Sequence, residues 1–209
     1  MSQRNPKNLI EGKELPLMEA FNSIQGEGFH SGSSAYFLRI GGCDVGCHWC
    51  DVKESWDASR HPLISIDDII NDISSTVKTV VITGGEPLMY NLSLLTSRLK
   101  EKDIQIHLET SGAYPLSGLF DWICVSPKKK QNVLDKIKPM VDELKIIVSN
   151  KHDMKWAETQ EQEVNNLCKL YLQPEWSKQD IMLPHIIEYV QKNPKWKISL
   201  QTHKYMKIP

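Results

Sequence analysis

The chain has 209 residues, 40% of them hydrophobic and 24% charged, which excludes a disordered or collagen-like polymer and is enough to bury a sizeable core. Its 25 basic and 26 acidic side chains leave a net charge of −1, without the basic surplus of a dedicated nucleic-acid binder, so no direct nucleic-acid partner is expected. Apolar runs such as Thr79–Ile82 are too short to span a bilayer, and Met1–Leu9 lacks a signal-peptide stretch, so a cytoplasmic protein with no membrane partner is expected.

In chain order, apolar and alternating runs predict strands at Leu17–Phe21, Ala35–Ile40, Thr79–Thr83 and Ile104–Glu109. Four more follow at Trp122–Val125, Leu144–Val148, Lys169–Leu172 and Lys197–Gln201. Helical patterns fall between them. One begins at Ile66, capped by Ser65, with Asp67 and Asp68 suiting the positive helix start. Others cover Leu92–Lys100, Asp153–Asn166 and Lys178–Lys192, and Pro184 should kink or delay the last. Strands separated by helices need crossover connections, hence a mainly parallel sheet, as an open doubly wound sheet or a barrel. Eight complete βα units take ~250 residues, so a partial barrel suits this length better than a whole one. In either architecture ligands gather where the strands end. No repeat, linker or low-complexity tract divides the chain, and one domain is expected over residues 1–209.

Of five cysteines, Cys43, Cys47 and Cys50 are clustered, while Cys124 and Cys168 stand alone in apolar runs and read as core residues. An odd, uneven set is a poor disulfide framework and points to metal or redox chemistry in a reducing compartment. The segment Gly41-Gly42-Cys43-Asp44-Val45-Gly46-Cys47-His48-Trp49-Cys50-Asp51 follows a predicted strand with CxxxCxxC spacing. Three thiolates on a cubane cluster leave one iron open to another ligand, whereas a zinc site would need a fourth residue such as His48.

This spacing, with an aromatic residue before the last cysteine, resembles the radical S-adenosylmethionine (SAM) superfamily. Thr83-Gly84-Gly85-Glu86-Pro87, after the next predicted strand, is similar to its second signature. The resemblance narrows to the 7-carboxy-7-deazaguanine synthase family through Ser23-Ile24-Gln25-Gly26-Glu27-Gly28, Arg39, Glu109-Thr110-Ser111-Gly112, Ser126-Pro127-Lys128 and the stretch Gln201 to Pro209. It implies an incomplete β/α TIM-type barrel. It also implies conversion of 6-carboxy-5,6,7,8-tetrahydropterin to 7-carboxy-7-deazaguanine with loss of ammonia, started by a 5′-deoxyadenosyl radical made from SAM. Residues 1–16 lie outside the resemblance and are expected to form a loosely ordered N-terminal segment.

The resemblance assigns Cys43, Cys47 and Cys50 to a [4Fe–4S] cluster. It assigns Trp49, Cys50, Asp51, Gly85, Glu86, Ser111, Ser126, Pro127 and Lys128 to SAM. Ile24, Gln25, Gly26, Glu27, Arg39, Thr83, His203 and Pro209 fall to the pterin, Arg39 facing its carboxylate with a planar fork and a carboxylate at Pro209 facing its N–H edge. His107 reads as strand structure. The family also implies a magnesium ion held by a threonine after Cys-Asp; here that position is Val52, which has no oxygen for a hard cation, and Ser55 is the nearest hydroxyl in sequence. A flavodoxin or ferredoxin reductant and a homodimer are implied as well. A radical SAM activase acting on a protein glycine would share the cluster and GGEP but not SxQGEG. An iron–sulfur electron carrier or a zinc module would leave GGEP unexplained.

Overall fold

The computed structural model describes residues 6–209. Its elements begin α1 (Pro6–Ile10), β1 (Glu14–Ile24), β2 (Ser34–Ile40), β3 (Leu63–Ser65), α2 (Ile66–Asp72), β4 (Thr79–Gly84) and α3 (Ser93–Glu101). They continue β5 (Gln105–Thr110), β6 (Trp122–Val125), β7 (Glu143–Val148), α4 (His152–Glu161), β8 (Lys169–Pro174), α5 (Gln179–Lys192), β9 (Trp196–Ile198) and α6 (Thr202–Met206). The strands form one sheet in the order β3-β1-β2-β4-β5-β6-β7-β8-β9. From β2 onward every neighbouring pair is parallel. Among the described residues the two end strands do not pair, so the sheet is the expected partial barrel.

Alternation along each strand sorts the side chains into two layers. Leu38 and Ile40 of β2, Val80 and Ile82 of β4, Ile106 and Leu108 of β5, and Leu144 and Ile146 of β7 join the buried apolar core. Ile69 of α2, Leu95 and Leu99 of α3, Ala157 of α4 and Ile186 of α5 belong to that same core. Each fully buried Val, Leu or Ile side chain among them contributes about 1.5–3 kcal/mol. The intervening positions face the barrel interior, and several of them are polar: Arg39, Thr83, Glu109 and Lys145 all line one cavity.

Several expectations need correction. The first strand pairs antiparallel with β2, because the loop at residues 25–33 is too short for a crossover of a dozen or more residues. Its N-terminal end pairs with β3, a strand the sequence pattern did not single out. Glu14, Leu15 and Pro16 are therefore part of the sheet, with Leu15 fully buried, rather than loosely ordered; residues 1–5 of that segment lie outside the described residues. Helix α4 stops short of Asn166, where Asn165 turns its amide onto the Pro139 and Val141 carbonyls. Helix α5 starts at Gln179 and runs through Pro184, which does not delay it. The last strand ends at Ile198, and Thr202–Met206 forms the unforeseen α6. Cys124 is buried as expected, but Cys168 precedes β8 and is only partly covered. Ser65 caps α2, accepting from the Asp68 N–H at 3.1 Å.

Candidate active site

At the ends of the parallel strands opens a cavity of about 370 Å³. Cys43, Cys47 and Cys50 lie on its wall in the loop after β2. Backbone bonds shape that loop: Gly42 N–H donates to Ser55 at 2.5 Å, Cys43 N–H to Trp56 at 3.2 Å, and Cys50 N–H to Cys47 at 3.0 Å. Glu86 N–H reaches across to the Gly42 carbonyl at 2.8 Å, joining GGEP to the cysteine loop. Gly85 is required at this crossing, since a Cβ there would stand 2.2 Å from the Gly42 oxygen. Asp44 accepts from the Tyr114 hydroxyl and, at 3.2 Å, from Gln131, and Lys130 bonds the Gly46 carbonyl at 2.9 Å. Among the described residues no three His, Cys, Asp or Glu side chains converge on a single ion position. A cubane cluster takes each thiolate on a different iron and does not need such convergence. The three thiols therefore suit a cluster.

The SAM-side residues gather on the same wall: Trp49, Asp51, Gly85, Glu86, Ser111, Ser126 and Lys128 all line the cavity, and Pro127 alone of that set does not. Glu86 is 1% exposed and serves as a pin between strand ends. Its carboxylate accepts from Leu88 N–H at 3.0 Å, Thr110 hydroxyl at 2.6 Å, and Ser111 N–H and hydroxyl at 2.7 and 2.5 Å. The Lys128 ammonium sits 5.4 Å over the Trp49 ring and donates to the Ser126 hydroxyl at 2.7 Å. A cation between an aromatic face and a serine, beside a glycine-lined backbone, suits a polar adenosyl ligand.

Ile24, Gln25, Gly26, Glu27, Arg39, Thr83, His203 and Pro209 share this cavity. Arg39 and Thr83 are partners in the β2–β4 register. Glu19 engages Nε of Arg39, and among the described residues its terminal nitrogens have no hydrogen-bond partner. The Gln25 amide accepts from Glu27 N–H at 3.1 Å and donates to Glu109 at 3.4 Å. Gly26 lies against His203, whose Nδ1 would stand 2.1 Å from an added Cβ. Thr202 anchors α6 by donating its N–H to the Gly26 carbonyl at 2.9 Å. Pro209 accepts from the Ser23 hydroxyl at 2.9 Å. Burial lowers the pKa of His203, against the pull of Glu27.

Glu27 is the charge centre of this half. Lys145 donates to it at 2.7 Å and Gln201 at 2.8 Å. Burial pushes the Glu27 carboxyl up, but these contacts outweigh it and hold the pKa down at about 2. Gln201 also reaches Asp51 at 3.2 Å, where Lys204 donates at 2.8 Å. Beneath, Glu143 accepts from Phe29 N–H and Trp122 Nε1, and burial raises its pKa to about 7. His107 packs on His30 with ring centres 4.3 Å apart, burial lowering its pKa to about 4; it belongs to the barrel floor, as expected of a structural residue.

Val52 lines the cavity with a hydrocarbon side chain, and the Ser55 hydroxyl donates to the Val52 carbonyl at 2.7 Å. Magnesium therefore finds no side-chain oxygen at position 52. The roles of Lys145, Gln201 and Lys204 were missed in the sequence. The available signal was a charge between apolar neighbours in a strand, Leu144-Lys145-Ile146.

A strand-end cysteine triad bonded through its loop to GGEP on a partial barrel defines the radical SAM class, and the Radical SAM superfamily model matches residues 38–143. The chain is 55% identical to 7-carboxy-7-deazaguanine synthase of Flavobacterium psychrophilum over 95% of each chain. It is 44% identical to the enzyme so named in Synechocystis, over 92% of this chain and 93% of that one. The crystal structure of QueE from Escherichia coli superposes with a TM-score of 0.80 at 28% identity, covering 96% of this chain and 99% of that one. The chain belongs to the 7-carboxy-7-deazaguanine synthase family. Its cofactors are accordingly a [4Fe–4S] cluster and SAM.

Proposed function

We propose that the chain acts as one radical SAM domain, converting 6-carboxy-5,6,7,8-tetrahydropterin into 7-carboxy-7-deazaguanine and ammonia on the route to queuosine. One observation carries this reading: the cysteine loop, GGEP, the Gln25–Glu27 loop and His203 line a single cavity. When bound, the cluster and SAM supply the hydrogen-abstraction chemistry. Cys43, Cys47 and Cys50 hold the cluster. Trp49, Ser126 and Lys128 hold the polar parts of SAM, while the Glu86–Ser111 pair fixes the wall behind it. Arg39 presents its two terminal nitrogens to the substrate carboxylate, and Thr83 adds a hydroxyl beside it. Glu27 and the Gln25 amide accept from the pterin N–H groups, and His203 with Pro209 closes the open side.

A low-potential flavodoxin or ferredoxin as reductant, a homodimer and a cytoplasmic setting belong to the same reading. An odd, unevenly clustered cysteine set, unsuited to a disulfide framework, supports the reducing compartment, and no described helix is long and apolar enough to cross a membrane. Reconstitution with iron and sulfide under anaerobic conditions, followed by assay with SAM, reductant and the tetrahydropterin, tests the reading. Formation of 7-carboxy-7-deazaguanine without net loss of SAM supports it. Cleavage of SAM that never yields the deazapurine refutes it.

A further inference from the structure

In the barrel interior the ammonium of Lys145 stands among carboxylates. The side chain of Lys145, in β7, is 5% exposed. Its Nζ bridges Glu27 Oε2 at 2.7 Å and Glu109 Oε2 at 2.9 Å. These carboxylates come from the β1–β2 loop and from β5. Both line the cavity, as Lys145 does. On each, only part of the acceptor capacity is taken: Gln201 holds Glu27 Oε1, and Gln25 holds Glu109 Oε1 at 3.4 Å. A carboxylate offers about four lone-pair sites, so both keep acceptor capacity towards a ligand.

We propose that Lys145 is a positioning and specificity-determining residue, whose bridging ammonium keeps Glu27 and Glu109 both acceptors, so that the site takes ring systems presenting neighbouring N–H donors. The proposal rests on the reading of Glu27 as a pterin contact. Two carboxylates sharing a buried site cannot both stay ionised without a cation. If one held a proton, an acceptor would become a donor facing the N–H edge, and the match would be lost. Burial by itself works to lower the Lys145 pKa; Cys124, Glu109, Glu27 and Glu143 outweigh it and hold it well above the ordinary value. The other charged groups facing this trio are Lys128 beyond Lys145, His30 beside Glu109, and His203 and Asp51 beside Glu27. None of these four donates a hydrogen bond to either carboxylate among the described residues, so Lys145 is the bridging cation.

The test is anaerobic equilibrium binding of 6-carboxytetrahydropterin to the reconstituted enzyme, with Lys145→Met, Lys145→Met/Glu109→Gln and Glu27→Gln. Cluster absorbance and thermal melting report folding. Lys145→Met should bind about tenfold to a hundredfold more weakly near pH 6.5 and recover toward about pH 9, as the shared proton leaves. The double variant carries one carboxylate fewer, so near pH 6.5 it should bind more tightly than Lys145→Met, though short of wild type, and lose that pH dependence. If Lys145→Met binds like the wild type, or stays weak at both pH values with no rescue in the double variant, the proposal is overturned. If Lys145→Met does not fold, rescue of binding by the double variant supports the proposal and its absence overturns it. Wild-type affinity in Glu27→Gln would instead overturn the reading of Glu27 as a substrate contact.

Discussion

The two walls of the cavity are held in different ways. On the cofactor wall, the cysteine loop is fixed by main-chain bonds, from Gly42 to Ser55, Cys43 to Trp56 and Glu86 to Gly42. On the substrate wall, main-chain bonds such as Gln25 to Ser33 and Thr202 to Gly26 are joined by side-chain bonds between distant segments, Lys145 to Glu27 and Gln201 to Glu27. A largely backbone-built wall tolerates side-chain change except at its ligands, its glycines and the Glu86 pin. A side-chain-built wall transmits each change to the next charge. The two walls should therefore fail separately.

The largest separation is expected from Cys47→Ala. Visible cluster absorbance and SAM cleavage should both fall to background, while pterin binding stays within about twofold of wild type, well under the 1.4 kcal/mol of a tenfold change. Next comes Gly26→Ala, whose Cβ would collide with His203. Overpacking of this kind costs about 1–3 kcal/mol, enough to displace α6. Pterin affinity should drop up to about a hundredfold, with cluster loading unchanged; equal loss of both would merge the two walls.

A smaller effect belongs to the barrel floor. The native pKa of Glu143 is raised to about 7, above its unfolded value of about 4.3. Between those values the native state binds more protons than the unfolded one, so this group's contribution to stability falls as pH rises and levels off above about 7. Glu143→Gln should therefore show a flatter melting temperature between pH 5 and 7 than the wild type, and parallel curves would remove Glu143 as the cause. The smallest effect is at position 52. Val52→Thr should make turnover more responsive to magnesium after chelator treatment, and an unchanged titration would show that the valine is not what limits the metal.

The same division decides what could be read from the chain. Cys43 to Cys50 and Thr83 to Pro87 are contiguous, because a loop wrapping a cofactor with its own backbone must carry its ligands at short spacing. The strands were legible for a related reason, since alternation and β-branched runs are local. Lys145 was not, although its strand was: its partners stand 118 and 36 positions away, and no spacing rule links them. Antiparallel β1 and helix α6 escaped for a like reason. The first follows from the length of a loop and the second from Thr202 bonding back to Gly26, a contact across 176 positions.

Glu27→Gln tests the separate construction of the two walls most directly, with SAM and 6-carboxytetrahydropterin affinities measured on the same reconstituted preparation. The variant keeps the side chain's shape and removes the charge held by Lys145. Hydrogen bonds to charged groups contribute about 1.5–3 kcal/mol, so pterin affinity should fall roughly ten- to a hundredfold while SAM affinity and cluster absorbance stay at wild-type values. A parallel loss of SAM affinity, or no loss of pterin affinity, would contradict the account.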